Sequence, residues 1–311
     1  MRALALLVLL GVLALVPVSG VEWAGYLSRV LVLLFIYIVL AQSYDLVGGH
    51  MGYVNLGHVT FFGVGGYALG ILWNAGVPFL GALALATASS VAFAGVISYP
   101  FFRLRGAYFS LATFGLVQLM QYSVLNFKEL TQGSYGLKVP AGERLLPMYY
   151  LTLGLVVAVV WSSRAIARSR LGLAMRSIRE DEEVAADFGV PVLRTKAIAL
   201  MISASFPGLL GGLFTWYILY INPEMLFGIE IALTPVAMAM LGGSGVLAGP
   251  IIGAIILRVA EETLGTMLLY LHTAMYGLVI LAVGLFMPGG VVRLGPVARR
   301  LARRGPHTGA H

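Results

Sequence analysis

Long apolar runs recur along the chain, and they restrict its fold more than any other feature. An α-helix needs about 20 apolar residues to cross the hydrocarbon core of a bilayer, and about ten runs of that kind can be marked. Only 11% of the 311 residues are charged, whereas a soluble domain carries about 25%. We therefore predict an all-α, polytopic integral membrane helix bundle of about ten spans (8–10). The expected spans lie near residues 3–19, 27–47, 54–73, 78–101, 106–125, 147–165, 197–220, 230–246, 249–267 and 270–287.

The basic residues are distributed unevenly between the two sides that these spans define. With Met1 in the cytoplasm, 15 of the 20 Lys and Arg residues fall on the cytoplasmic side and five on the other. This excess follows the positive-inside rule, so we expect both termini in the cytoplasm. The concentration of basic residues on the cytoplasmic side then accounts for the formal net charge of +7, and nucleic-acid binding is not expected.

Two ranges describe the expected organisation of the chain. Residues 1–290 are expected to form the transmembrane domain, and residues 291–311 a basic, flexible cytoplasmic tail. The first run also resembles a secretory signal peptide, because it combines one basic residue, an apolar core and small residues near its end. We favour a retained first span, since a multispan protein needs no cleaved signal. Removal of that run would leave every later span oriented as before.

A cytoplasmic stretch of mixed charge, residues 164–196, interrupts the apolar pattern. It holds seven basic and five acidic side chains, and an apolar stripe at helical spacing begins at Leu171. Asp181 is a predicted N-cap of a second short helix, and Gly189 a predicted C′ residue ahead of Pro191. Two interpretations remain open: a docking site for a soluble partner, or a surface helix that only packs on the bundle.

Motifs for catalysis or nucleotide binding are absent from the sequence. It contains no phosphate-binding P-loop, no zinc-binding H-E-x-x-H and no G-x-S-x-G nucleophile elbow. Cysteine is absent as well, and no two of the five histidines lie at ligand spacing within one helix. We therefore predict that the chain is not an enzyme and binds no metal or cofactor itself.

Acidic residues within the apolar runs are few, and they fall near the ends of the expected spans. We expect water to reach all four of them: Asp45, Glu230, Glu261 and Glu262. A carboxylate at the membrane midplane is the usual mark of a proton relay, and none is expected here. This pattern argues against ion-coupled transport, although a sodium site can be built from backbone carbonyls.

Glycines cluster with polar residues at two places, 46–58 and 241–253. Both segments are predicted to be tight turns or broken helices, which a membrane tolerates only inside protein or along an aqueous cavity. Glycines further along the third run are expected to allow close helix packing. The candidate positions along a translocation path are Asn55, Gly57, His58, Gly242 and Gly243.

Five ordered blocks resemble the permeases of branched-chain amino acid ABC importers. The first is S-Y-D-L-V-G-G-H-M-G-Y-V-N-L-G-H-V-T-F-F-G-V-G-G-Y from residue 43, and the second is R-L-R-G-A-Y-F-S-L-A-T-F from 103. The third is T-Q-G-S-Y-G-L from 131, and the fourth is L-G-L-A-M-R-S-I-R-E-D-E-E-V-A-A-D-F-G-V from 171. The fifth is M-L-G-G-S-G-V-L-A-G-P-I-I-G from 240. Together they cover roughly residues 35–287, and their order makes the resemblance specific.

The resemblance implies a bacterial or archaeal cell (inner) membrane protein that works with several partners. These are a homologous second permease subunit in a heterodimer, two cytoplasmic ATP-binding subunits that hold ATP and Mg, and an extracytoplasmic substrate-binding protein. It also implies that the 164–196 segment couples the chain to the ATPases. The coupling residues carried over by the resemblance are Arg176, Arg179, Glu180, Asp181, Ala185, Ala186 and Gly189. Which carboxylate of the dense acidic block at 180–183 meets the ATPase is left open.

The function implied by the resemblance is ATP-driven import by alternating access. Branched-chain or related amino acids are the expected substrates, with urea, short amides, sugars or nucleosides as alternatives within the same class. An ion-coupled secondary transporter is a more distant alternative. Uptake that persisted without any ATPase would favour that alternative.

Overall fold

The computed structural model describes residues 11–18, 23–140, 144–265 and 290–292. Helices dominate these residues, so the predicted all-α architecture is confirmed. The helices are α1 (Ala24–Met51), α2 (Val59–Asn74), α3 (Phe79–Phe101), α4 (Gly106–Asn126), α5 (Lys128–Thr131), α6 (Leu145–Ala167), α7 (Arg170–Glu180), α8 (Glu182–Asp187), α9 (Val192–Ile218), α10 (Pro223–Phe227), α11 (Ile229–Gly242) and α12 (Gly249–Gly265). Two 3₁₀ turns lie at Val16–Val18 and Gly133–Tyr135. An antiparallel pair of strands joins β1 (Leu137–Lys138) to β2 (Tyr220–Ile221).

Eight of the expected spans coincide with described helices, namely α1, α2, α3, α4, α6, α9, α11 and α12. Within the described residues, five segments are long and apolar enough to cross a membrane: α1, α3, α6, α9 and the stretch Pro223–Gly242 that contains α10 and α11. The chain is therefore a polytopic membrane helix bundle. The spans expected near 3–19 and 270–287 lie wholly or largely outside the described residues, as does the tail. The domain boundary near residue 290 stays a prediction.

Helix α1 runs through the interior of the bundle. It contacts α6, α9, α11 and α12, and residues 38–51 are buried apart from Gly48. A helix that is apolar on all sides is expected in such a position. Because the helices that α1 touches lie far from it along the chain, its end is placed where distant segments can meet.

Helix α2 packs on α9 through glycines. A Cβ atom on Gly65 would collide with the backbone of Gly208, and one on Gly211 would collide with the backbone of Phe62. Such contacts allow two helix backbones to approach closely in lipid. The glycine packing predicted for this run is therefore confirmed. Three further glycines of α2 pack against side chains of neighbouring segments: Gly63, Gly66 and Gly70.

Both glycine-rich segments interrupt helices, as predicted. Helix α1 ends at Met51, Gly52 adopts a left-handed φ of 78°, and the chain is not helical again until α2 begins. Helix α11 ends at Gly242, and turns follow until α12 begins. Residues 52–58 are called the first break below, and residues 243–248 the second break.

Candidate functional site

The 164–196 segment contains the two short helices α7 and α8, which lie between the end of α6 and the start of α9. Ser169 caps α7, since its Oγ accepts a hydrogen bond from the backbone N of Gly172 at 3.2 Å. Met175 and Ile178 are buried in an apolar cluster that also contains residues of α1, α3 and α9. The predicted apolar stripe is therefore the face of α7 that packs on the bundle.

The start and the end of α8 follow the local chemistry of the sequence. Asp181 caps the helix as predicted, because its Oδ1 accepts hydrogen bonds from the N of Glu183 at 2.9 Å and of Val184 at 3.0 Å. Gly189 adopts a φ of 84°, and the N of Val190 donates to the O of Ala185 at 3.0 Å. This is the glycine-terminated helix end that the sequence predicts. Two alanines occupy α8, one buried and one exposed: Ala185 and Ala186.

A charged network joins α8 to α9 and to the first break. The Lys196 Nζ lies 2.6 Å from Glu182 Oε2, and the Tyr53 hydroxyl donates to the same oxygen at 2.5 Å. The Lys196 side chain is only 1% exposed, and its ammonium lies 4.3 Å from the centre of the Tyr53 ring. Sequence reasoning did not single out this network, although a lysine at the start of an apolar run was a signal for it.

Opposing effects act on the pKa of Glu182. Partial burial disfavours the charged carboxylate, but hydrogen bonds from Lys196 and Tyr53 outweigh that effect and hold the pKa of Glu182 below its ordinary value. Burial, reinforced by the hydrogen bond to Glu182, raises the pKa of the Tyr53 hydroxyl. Glu182 therefore stays ionised at neutral pH as the anionic partner of Lys196.

The remaining acidic residues of the 180–183 block differ in their surroundings. Glu183 pairs with Arg105 Nη1 at 2.8 Å, and the other terminal nitrogen of Arg105 lies 3.8 Å from Glu182. The Asp181 carboxylate accepts the hydrogen bonds that cap the start of α8. Within the described residues, the exposed side chain of Glu180 forms no hydrogen bond or ion pair. Glu180 is thus the carboxylate of this block that no other described residue engages.

Arg176 and Arg179, both on α7, have different surroundings. The guanidinium of Arg179 donates to the carbonyl O of Gly49, near the end of α1, and lies against Gly245 of the second break. Arg176 is exposed and forms no hydrogen bond or ion pair within the part of the chain that the structure describes. Of the two predicted coupling arginines, therefore, Arg179 is tied to the bundle and Arg176 is not.

The position of Asp45 contradicts one prediction from the sequence. It was expected near a span end that water could reach, but the residue is 0% exposed. Helix α1 continues for six residues beyond it, and the backbone N of Gly245 donates to both carboxylate oxygens at 2.9 and 3.1 Å. The second break therefore closes over Asp45. Arg179 contacts both Gly49 and Gly245, so α7, α1 and the second break meet at one place, which is called the junction at Arg179 below.

The polar residues of the first break are held inside the bundle. Asn55 Oδ1 accepts a hydrogen bond from the N of Gly57 at 3.0 Å, and Gly57 lies against the backbone of Thr113 in α4. His58 Nε2 lies 2.9 Å from Ser43 Oγ of α1. Both Asn55 and His58 are buried. The His58 contact links the first break to α1, whereas the Asn55 bond closes a turn within the break. Their assignment to a translocation path stays a prediction.

The other two candidate path residues lie at the end of α11. A Cβ atom on Gly242 would meet the backbone of Gly249 and Gly253 in α12. Gly243 adopts a φ of 121°, a region that residues with side chains rarely occupy. These glycines permit a close approach and a sharp turn, and their place on a path also stays a prediction.

A cavity of about 620 Å³ lies among α1, α4, α9, α10 and α11. Apolar side chains form most of its walls, and Gln121, Glu224 and Tyr37 add polar groups. Tyr37 and Gly49 of α1 are 12 residues apart, which corresponds to about 18 Å along a helix. The cavity therefore lies well away from the junction at Arg179. Among the described residues, no group of His, Asp and Glu could hold a metal ion.

Phe188 is an exposed apolar residue that sequence reasoning did not select. It directly follows α8 and is 86% exposed, and Val184 on the same helix is about half exposed. Helix α8 is braced by Glu182 and Glu183 at its start. The braced helix therefore presents an apolar tip to its surroundings.

Comparison with known proteins identifies similar transport subunits. The family described as the permease component of branched-chain amino acid transport systems matches residues 26–287. The permease protein LivM of the high-affinity branched-chain amino acid transport system of Escherichia coli K12 is 28% identical, over 88% of this chain and 73% of its own length. LivH of Salmonella typhimurium is 26% identical, and BraD of Pseudomonas aeruginosa 25%; each comparison covers 82% of this chain and 91% of the relative. No solved structure shows a significant match.

Proposed function

This chain belongs to the family of branched-chain amino acid transport permease components, and we propose that it carries branched-chain or related amino acids across the membrane. It is a permease subunit of an ABC importer and not an enzyme. The names of the relatives support the substrate class. An apolar cavity with a few polar groups suits an aliphatic side chain attached to a charged backbone.

Energy enters through the 164–196 segment, which docks into a cytoplasmic ATP-binding subunit. The transporter contains two such subunits, and they hold ATP and Mg. The observation that supports this role best is the junction at Arg179, since a displacement of α7 reaches the ends of α1 and α11 through Gly49 and Gly245. Phe188 is the apolar tip that inserts into the partner, and Arg176 and Glu180 supply charged contacts beside it. Arg179, Asp181, Ala185 and Gly189 keep α7 and α8 in place, and the exposed Ala186 faces the partner.

The complete transporter contains a second, homologous permease subunit and an extracytoplasmic substrate-binding protein. The similarity of this chain to both LivM and LivH supports a pair of related permeases. The inner membrane of a bacterium or archaeon, with both termini in the cytoplasm, is the expected location, since basic residues concentrate on one side. Alternating access would then open the path to one side at a time.

Reconstitution of the purified transporter in proteoliposomes tests this function. We expect radiolabelled leucine to accumulate only when ATP is enclosed with the ATPase subunits and the binding protein is supplied outside. Uptake that followed an ion gradient without ATP would contradict the proposal. Purification of the chain without any associated ATPase would contradict it as well.

The Phe188→Ala variant tests the docking tip in the same assay. We expect ATP-driven uptake to fall about 30-fold, because a buried aromatic contact contributes on the order of 2 kcal/mol at an interface. The matched control is Phe127→Ala, which removes another exposed phenylalanine at the end of α4 and should leave uptake unchanged. Equal effects of the two variants would contradict the role of Phe188.

A further inference from the structure

A recess of about 260 Å³ opens between α7 and the ends of α1 and α6. Arg164 and Arg168 line it from the end of α6, and Arg176 and Arg179 line it from α7. His50 and the backbone at Gly49 and Gly245 contribute further lining atoms, and no carboxylate does so among the described residues. The recess therefore collects guanidinium groups from two helices.

The positive charge of this recess is only partly balanced within the chain. Arg179 is held by the carbonyl O of Gly49 and interacts electrostatically with the buried carboxylate of Asp45. The other three arginines form no ion pair in the part of the chain that the structure describes: Arg164, Arg168 and Arg176. About three positive charges thus converge without an anion from the described residues, and planar guanidinium groups match phosphate oxygens well.

An exposed stripe on α6 continues from the recess. Val157, Trp161, Arg164 and Arg168 are spaced by four, three and four residues, so they share one face of the helix. The Val157 and Trp161 side chains are exposed. The stripe thus changes from apolar to basic toward the helix end. This order of side chains suits a lipid, because the apolar part of the stripe can contact an acyl chain and the two arginines can contact its head group. Trp161 would then lie at the membrane interface, where Trp is common.

We propose that the recess binds the phosphate of an anionic phospholipid, with the acyl chains lying along the Val157–Trp161 face of α6. Free phosphate shares the anionic chemistry but would not use that apolar face. Helix α8 lines no part of the recess, so the lipid and the proposed tip at Phe188 occupy different surfaces, and Arg176 is the docking residue that the two sites share. Basic pockets between helix ends are known to accept such head groups.

Binding to the full-length protein in detergent tests this inference. Dioctanoyl phosphatidylglycerol is titrated and followed by native mass spectrometry, with dioctanoyl phosphatidylcholine and inorganic phosphate as comparison ligands. We expect the phosphatidylglycerol to bind most tightly. In the combined Arg164→Gln, Arg168→Gln and Arg176→Gln variant its affinity should fall about 100-fold, since each arginine contributes about 1 kcal/mol near a charged surface.

The matched control replaces three other basic residues, Arg103→Gln, Arg170→Gln and Arg194→Gln. These side chains are exposed and do not line the recess, so phosphatidylglycerol binding should be unchanged. Equal losses in both triple variants, or equal binding of the two lipids, would overturn the proposal.

A second variant, Trp161→Ala, distinguishes the two sources of phosphate and does not depend on the arginine variants. It should weaken lipid binding, because the acyl chains lose their apolar contact. Displacement of the lipid by inorganic phosphate at equal concentration would instead indicate a free-anion site and overturn the lipid assignment. Unchanged lipid binding by Trp161→Ala would overturn it as well.

Discussion

The two breaks interrupt helices in similar glycine-rich contexts, but different interactions hold them. Side chains fix the first break: Tyr53 joins the network of Glu182, and Asn55 closes a turn of its own. Close backbone contacts fix the second break, where Gly242 packs against α12 and a backbone N–H meets Asp45. The same sequence signal thus marks one segment held through its own polar side chains and one held through its backbone, by glycine packing and by the hydrogen bond from Gly245 to Asp45.

This difference teaches how each break should respond to substitution. A segment held by charged side chains is sensitive to the removal of one partner, because the other partner stays buried without it. A segment held by backbone approach is sensitive to added volume, because a close-packed interior has no space for it. Substitutions of opposite kinds therefore separate the two breaks.

The largest effect is expected from Glu182→Ala, which removes the partner of Tyr53 in the first break. It leaves the ammonium of Lys196 buried without its anion, and we expect the free energy of unfolding to fall by about 3 kcal/mol. Thermal unfolding in detergent, followed by tryptophan fluorescence, measures the change. The control Glu183→Ala removes a carboxylate paired with the exposed side chain of Arg105 and should shift the midpoint little. Similar midpoints for the two variants would show that Lys196 does not depend on Glu182.

The next effect is expected from Gly242→Ala at the second break. The added methyl group meets the backbone of α12, and we expect a loss of about 2 kcal/mol from overpacking. Gly154→Ala in α6 is the matched control, because no atom lies within 4 Å of the added group. That control should be neutral or slightly stabilising. A destabilisation by Gly154→Ala as large as that by Gly242→Ala would contradict the contact.

A smaller effect is expected from Asn55→Ala. This variant removes the buried hydrogen bond to the N of Gly57, and such a bond contributes about 1 kcal/mol. The control Asn126→Ala removes a side-chain bond at the exposed end of α4. Unfolding midpoints measure both variants. A larger loss for Asn126→Ala than for Asn55→Ala would contradict the structural role of Asn55.

The smallest effect is expected from pH, because the Glu182 carboxylate is partly exposed and solvent screens it. Its pKa is lower in the folded chain than the ordinary value of 4.5. The network of Glu182 therefore contributes fully above pH 4.5, and this contribution is lost as the pH falls below that value. The difference in unfolding midpoint between the native chain and Glu182→Gln should shrink in that acid range. A difference that grew instead would reverse the assigned direction.

The features that the sequence predicted depend on local chemistry. Apolar runs identify membrane helices because a segment in lipid must pair its own backbone N–H and C=O groups, and a helix does so within one span. The cap at Asp181 and the helix end at Gly189 follow from side-chain reach and backbone freedom within a few residues. The two breaks were recognisable because glycines and polar side chains interrupt apolar runs there. The family followed from the order of five blocks, not from any one of them.

The features that the sequence did not predict depend on distant contacts. Asp45 is near the end of an apolar run, but its burial requires Gly245, which is 200 residues away. The network of Tyr53, Glu182 and Lys196 joins three separate segments. The exposure of Phe188 likewise depends on how α8 lies on the bundle. Charge and hydropathy along the chain do not specify such pairings, because they carry no information about which helices become neighbours.

The length of α1 has a consequence for the choice of lipid. Its 28 residues correspond to about 42 Å, whereas the hydrocarbon core of a typical bilayer is about 30 Å thick. The helix must therefore tilt or extend beyond the acyl region. Bilayer thickness then sets how far Gly49, the attachment point of Arg179, stands from the hydrocarbon boundary. We expect the transport rate to pass through an optimum as acyl-chain length is varied in reconstituted membranes.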